Sequence, residues 1–271
     1  MLVAVDTGGT KTLLAAFRTD GTIASSHKFP TPKDFTAYLD ELLAGIAHVA
    51  QGQPIDALSI ALPGTIADGR VAWCSNLPWR DVDVIGPVQK IYPTAAIFLE
   101  NDANLAGLGE TRMLDMQPKT SLYITFSTGI GTGVTTNGHI DPHFRLSEAG
   151  HAVLNYNGTY APWESFASGR AIYETYGQYA RDITDPTIWK DVAERMAQGM
   201  LVLLPFMQPD IVIIGGSMGS YFERYGDFLI DSINTRLHDE IIVPPIIGAK
   251  HPEEAVIHGC YYYALDHLAA S

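Results

Sequence analysis

The feature that most constrains this chain is a pattern that occurs twice. Residues 1–29, MLVAVDTGGTKTLLAAFRTDGTIASSHKF, run as an apolar stretch, a glycine-rich turn, a second apolar stretch and a turn at Asp20-Gly21. Such punctuation predicts a β-hairpin followed by a third strand. From residue 121, SLYITFSTGIGTGVTTNGHI restarts the same order and closes on a tight Asn137-Gly138 turn. A chain that begins its architecture twice, with helical segments between, folds as two similar α/β lobes.

The segments between the hairpins fill in those lobes. Residues 33–50 repeat apolar positions at helical spacing, and DALSIALPG at 56–64 reads as a buried strand stopping at Pro63-Gly64. AAIFLEND at 95–102 is a further strand, and Leu105, Leu108 and Met113 predict a helix from Asn104. Two more helices are expected at 163–180 and 187–206, a strand at IVIIGG (211–216), and a closing helix over EEAVIHGCYYYALDHLAA, 253–270. The boundaries expected are a small lobe over 1–113, completed by 253–271, and a large lobe over 114–252. With no long linker between them, a cleft between the lobes is the expected ligand site.

Composition excludes several classes of function. The 17 Lys and Arg face 30 Asp and Glu, a formal net charge of -13 that opposes non-specific attraction to nucleic acid or anionic lipid. Neither is expected as a partner. Cys74 and Cys260 are far apart and form no ligand-like spacing, so no disulfide framework or zinc module is read from them. No apolar run reaches the roughly 18 residues of a membrane span, and the first residues turn polar too soon for a signal sequence. A cytoplasmic location is expected.

Three glycine-rich stretches suit an anion. Asp6-Thr7-Gly8-Gly9-Thr10-Lys11 occupies the first hairpin turn, where glycines let backbone N–H groups approach a phosphate and Thr10 adds a hydroxyl. Asp6 is placed to face a hydrated magnesium ion, which keeps several waters and takes one or two carboxylates. Thr128, Gly129 and Gly131 lie in the matching turn of the second lobe, and Gly215-Gly216 follows the IVII strand. Each alone is also a serviceable turn. GGSMGS lacks the GxGxxG spacing of a Rossmann loop, and a P-loop is absent. The three together support nucleotide binding.

Glu100-Asn101-Asp102 stands where a strand emerges at its carboxyl end, the side on which α/β sheets bind ligands. Asp102 can take a hydroxyl proton as oxygen attacks phosphorus. Equally, Asp102 or Asn101 can cap the following helix. Glu148, His151 and Glu164 follow the second hairpin, and carboxylates with an imidazole are suited to the paired hydroxyls of a sugar.

In order along the chain, DTGGTK (6–11), ALPGTI (61–66), SNLPW (75–79), ENDAN (100–104), STGIGTG (127–133), EAGH (148–151), ESFASGRAI (164–172) and IVIIGG (211–216) resemble the ROK family of sugar kinases and sugar-responsive repressors nearly end to end. The resemblance implies an actin-like, ribonuclease-H-like pair of lobes with ATP and magnesium in the cleft. It makes Asp102 the catalytic base and Asn101, Glu148, His151 and Glu164 the residues that hold the sugar, with Gly64 and Asn76 as weaker candidates. The loops at 8–11, 128–131 and 215–216 would hold the nucleotide.

Two departures from the family pattern matter. Members commonly carry a CxCGxxGC zinc motif between the His and the next Glu; here Asn155, Asn157, Gly158, Ala161 and Pro162 stand in that region. Asn and Pro supply neither thiolate nor imidazole, so no zinc is expected, and Tyr156, Tyr160 and Trp163 are the expected anchors of the segment. Repressors of this type also carry a helix-turn-helix ahead of the first glycine loop, whereas Asp6 comes almost at once.

The function expected is transfer of the γ-phosphate of ATP to a hexose hydroxyl, with the 6-hydroxyl of glucose first among candidates. N-acetylmannosamine, N-acetylglucosamine or fructose as acceptor, polyphosphate as donor, and a non-catalytic sugar sensor are the alternatives. Dimers are frequent among such relatives, so a homodimer is the oligomer to test for.

Overall fold

The computed structural model describes residues 1–74, 76–252 and 254–269. The chain divides into two compact units, Met1–Met113 with the C-terminal segment, and Leu114–Pro252.

In the first unit, β1 (Leu2–Thr7), β2 (Lys11–Phe17) and β3 (Ile23–Pro30) form the expected antiparallel meander. Helix α1 (Phe35–Ala50) starts where the Asp34 side chain accepts from the Ala37 N–H, and turns its Leu42, Ile46 and Val49 face to the sheet core. Strand β4 (Ala57–Leu62) then pairs parallel to β1. A small sheet of β5 (Thr65–Ala67), β6 (Arg70–Trp73) and β7 (Arg80–Val82) follows; these strands are too short to show a period in the sequence. Ser75, first residue of the SNLPW stretch, lies outside the described residues. After α2 (Ile85–Ile91), strand β8 (Ala96–Asn101) pairs parallel to β4 and runs straight into α3 (Asp102–Arg112). The sheet order is β3-β2-β1-β4-β8.

The second unit repeats this plan. β9 (Thr120–Phe126) and β10 (Ile130–Thr136) form the second hairpin, continued by β11 (His139–Ile140). Residues 153–162, for which the sequence predicts no element, form a small hairpin, β12 (Val153–Tyr156) and β13 (Thr159–Pro162), turned by Asn157 and Gly158, both with positive φ. The single helix expected at 163–180 is broken into α4 (Glu164–Ala167) and α5 (Gly169–Tyr176). Ser168 is extended at the break, its hydroxyl capping Ala171 N–H, because the Gly169 N–H is drawn to the Ser127 carbonyl at 2.7 Å. α6 (Pro186–Met207) supplies the main buried helix. β14 (Ile211–Gly215), α7 (Gly216–Gly219), α8 (Gly226–Asn234) and β15 (Ile246–Gly248) complete a sheet ordered β11-β10-β9-β14-β15, again three antiparallel strands followed by two parallel ones.

Helix α9 (Ala255–Ala269) returns to the first unit and packs on α3; Glu253 and Ala270, included in the helix expected from sequence, lie outside the described residues. Two glycines set this contact. A Cβ on Gly259 would lie 1.8 Å from the Leu105 carbonyl oxygen, and one on Gly109 would lie 2.1 Å from that of Ala255, so the two backbones meet directly. Arg112 pairs with both carboxylate oxygens of Asp266 at 2.7 and 2.8 Å near the helix ends. Among the described residues, no helix is long and apolar enough to cross a membrane.

Candidate active site

Strand register brings the first unit's polar residues together. Asp6 on β1 pairs with Ala61 on β4, and Ala61 with Glu100 on β8. The residues just beyond, Gly8, Gly64 and Asp102, therefore leave three neighbouring parallel strands at their carboxyl ends, where such sheets bind ligands. Asp6 is largely buried, and burial pushes its carboxyl up to about 6, with Lys11 and Lys28 acting in the opposite direction.

The first glycine turn is held from outside. The Gly8 N–H donates to the Lys11 carbonyl at 3.0 Å, the Thr31 hydroxyl donates to the Gly8 carbonyl at 2.8 Å, and the Lys33 ammonium donates to the Gly9 carbonyl at 2.6 Å. Thr10 and Lys11 face solvent. Asn76 lies against this turn: a Cβ on Gly9 would sit 2.8 Å from the Asn76 Cβ. Thr31 and Lys33 carry no signal in the sequence beyond a Thr-Pro-Lys-Asp run ahead of a helix.

At the end of β8 the two readings of the polar triplet separate. Asn101 is the helix cap, its Oδ1 accepting from Ala103 and Asn104 N–H, while its Nδ2 donates to the Gly64 carbonyl at 2.9 Å. Asp102 is the first helical residue, partly exposed, with Oδ1 2.9 Å from the Ala103 N. Glu100 turns inward and is 1% exposed. Gly64 has φ of 98° and a Cβ there would meet the Trp73 carbonyl oxygen at 2.1 Å, so the backbone itself requires glycine.

The second unit gathers its candidates around the other glycine turn. Glu164 Oε2 accepts from the Ile130 N–H at 3.3 Å, while its Oε1 lies 3.8 Å from His151 Nδ1. Gly129 and Gly150 permit this closeness: a Cβ on Gly129 would lie 2.6 Å from Glu164 Oε2, and one on Gly150 would lie 2.2 Å from the Ile130 carbonyl oxygen. The Glu148 carboxyl is raised by burial, lowered by His151 and raised again by Glu164. Glu148, His151 and Glu164 are thus one cluster of acceptors and an imidazole, half open to solvent.

Gly215 ends β14 and Gly216 begins α7; because β14 pairs parallel to β9, both emerge beside the Ser127–Gly131 turn. Ser127 and Thr128 from one side and Ser217 and Met218 from the other line a cavity of about 360 Å³. The rest of its wall includes Arg170, Tyr173, Tyr179, Arg181 and Tyr221, with Tyr173 and Tyr179 stacked at 4.5 Å and the Arg181 guanidinium 5.0 Å from the Tyr179 ring. None of these five was named as a site residue from the sequence, although Arg170 lies in the ESFASGRAI stretch; Arg170 and Tyr173 come from α5, and the other three from the short turns beyond it. The cavity's volume is that of a small-molecule pocket, and its lining is aromatic and cationic.

The 153–162 hairpin is held by aromatic packing. Tyr156 stacks on Phe166 at 4.5 Å, and the Arg195 guanidinium lies 5.6 Å from the ring centres of both Tyr156 and Tyr176. Trp163 is fully buried and donates from Nε1 to the Arg195 carbonyl at 3.1 Å. Tyr160, expected as a third anchor, is instead 75% exposed, because its side chain falls on the outer face of a two-stranded hairpin.

The ROK family model matches residues 2–267. The chain belongs to the ROK family. Among curated relatives, the fructokinase of Pediococcus pentosaceus is 26% identical over 274 residues, covering 92% of this chain and 93% of its own. Among solved structures, the ROK hexokinase from Thermus thermophilus has a TM-score of 0.84 at 25% identity, covering 100% of this chain and 99% of the other. A ROK glucokinase from Streptomyces griseus, solved with glucose and AMPPNP, has a TM-score of 0.80 at 22% identity over 96% and 97% of the two chains. The fold is the actin-like ATPase fold, and the twin sheets of this ROK protein are its two α/β units.

Proposed function

We propose that this chain is a hexose kinase that transfers the γ-phosphate of ATP to a sugar hydroxyl, the 6-hydroxyl of glucose being the first acceptor to test. The observation that carries the reading is the register that delivers Asp6 and Asp102 to the same edge of the first unit's sheet, beside a glycine turn. One carboxylate serves the phosphates and the other serves the attacking oxygen, the division of labour that phosphoryl transfer needs.

In this reading Asp102 accepts the hydroxyl proton as the oxygen attacks phosphorus. Glu148, His151 and Glu164 hold sugar hydroxyls, with Asn101 contributing its remaining amide N–H and Asn76 a further contact. Gly9, Thr10, Lys11, Thr128, Gly129 and Gly131 offer backbone and side-chain donors to the phosphates in a turn that Gly8 shapes, and Gly215 and Gly216 border the nucleoside. Asp6 would hold magnesium through water; when bound, the ion neutralises charge on the donor phosphates.

Polyphosphate as donor is a second reading, and the cavity bears on it. A bare phosphate chain has no use for stacked Tyr173 and Tyr179, whereas a base gains from them. The relatives' names keep fructose beside glucose as acceptor. Purified chain is assayed for ADP release with glucose, fructose, N-acetylmannosamine and N-acetylglucosamine, and for sugar phosphate formed from polyphosphate. Sugar-dependent ADP release is expected, with ATP preferred; sugar phosphate from polyphosphate alone would replace the donor assignment.

A further inference from the structure

Glu100 belongs to the ENDAN stretch, yet the proposed chemistry leaves it unused. At 1% exposure it is a buried carboxylate, costly unless donors surround it. Oε1 accepts from the Asn101 N–H at 2.8 Å and from Asn104 Nδ2 at 3.0 Å. Oε2 accepts from the Tyr263 hydroxyl at 3.3 Å. Asn104 is itself 2% exposed.

The first two bonds bracket Asp102. One holds the Glu100–Asn101 peptide, one peptide ahead of it, the other holds a side chain two residues after it, and the Asn101 side chain fixes the same turn to the Gly64 carbonyl. A helix start needs only the Asn101 cap, which is already in place through Ala103 and Asn104 N–H. The extra carboxylate therefore does something a cap does not: it removes the freedom of the strand-to-helix turn from which Asp102 projects. The third bond carries that constraint to α9, whose backbone is locked against α3 by Gly109 and Gly259.

We propose that Glu100 is a positioning residue for Asp102, and that Tyr263 makes the C-terminal helix part of the same setting. The inference rests on the reading of Asp102 as the base. A base displaced by about 1 Å loses roughly 10²-fold in rate, so the brace acts on turnover more than on substrate affinity.

The test uses Glu100→Ala, Glu100→Gln and Tyr263→Phe in the full chain, each examined by crystallography and by steady-state kinetics with the hexose that the wild type phosphorylates. In Glu100→Ala the Asp102 carboxylate is expected to move by about 1 Å or more and kcat to fall roughly 10²-fold with KM for ATP unchanged. Glu100→Gln, which keeps the acceptor oxygen, restores both the position and most of kcat. Tyr263→Phe deletes one hydroxyl and no packing, and lowers kcat a few-fold. An Asp102 that keeps its place in Glu100→Ala, or a wild-type kcat in that variant, overturns the inference; if Glu100→Ala does not fold, an unchanged kcat and Asp102 position in Tyr263→Phe do so. A wild type inert toward every hexose, with Asp102 displaced in the variant, refutes the proposed function and leaves the positioning geometry standing.

Discussion

Asp6, proposed to serve the phosphates, carries a cost in stability. Its carboxyl is raised to about 6 by burial, so the folded state binds the proton more tightly than the unfolded chain does. The sign follows: ionising Asp6 penalises folding, the penalty is absent below about pH 4 and fully present above about pH 6, and it amounts to about 3 kcal/mol. Asp6→Asn removes it. Urea unfolding without nucleotide should find that variant equal to wild type near pH 4 and more stable by up to about 3 kcal/mol at pH 7, while its turnover collapses. Equal stabilities at pH 7 would show that the carboxyl is not strained. Asp6 itself was legible in the sequence, as the carboxylate before a double glycine. Its neighbours Thr31 and Lys33 were not, because what fixes the turn is a hydrogen-bonding contact from over twenty residues away.

The element with the most to say is the β12–β13 hairpin, which stands where the family resemblance led a zinc motif to be looked for. The missing cysteines were plain in the sequence, and Tyr156 and Trp163 do anchor the segment. The hairpin itself was hidden because its strands have four residues each, and Tyr160 could not be told from Tyr156 without knowing which face each takes. Arg195, forty residues away, is the part no local pattern could supply. Tyr156→Ala and Arg195→Ala should each cost about 2 kcal/mol in denaturant unfolding, through lost stacking and cation–π contact. EDTA should leave the melting temperature of the wild type unchanged; a fall, or stoichiometric zinc by metal analysis, would contradict the aromatic account. The α3–α9 contact has a sharper test. Gly259→Ala drives a methyl into the Leu105 carbonyl and should destabilise by about 3 kcal/mol, with the separation of α3 and α9 as the structural consequence.

At the scale of the molecule, the twice-written hairpin was enough to predict two α/β units, since glycine turns and apolar strands leave a strong imprint. The parallel strands β4, β8 and β14 were also readable as apolar runs, β4 as a buried one. What was not legible was the wall of the 360 Å³ cavity, because Arg170, Tyr173, Tyr179, Arg181 and Tyr221 come from one short helix and irregular chain, assembled only by folding. That cavity makes a prediction of its own: Tyr179→Ala should raise KM for ATP about tenfold, leaving KM for the sugar unchanged, as loss of the ring that holds Tyr173 and Arg181 in the wall implies. The central claim is that Asp102 deprotonates a sugar hydroxyl, and one comparison tests it most directly. Hexose-dependent ADP release is measured for wild type and Asp102→Ala, with sugar affinity of both determined by calorimetry. The account predicts turnover reduced by about 10²-fold or more with sugar affinity retained; turnover that survives the substitution would contradict it.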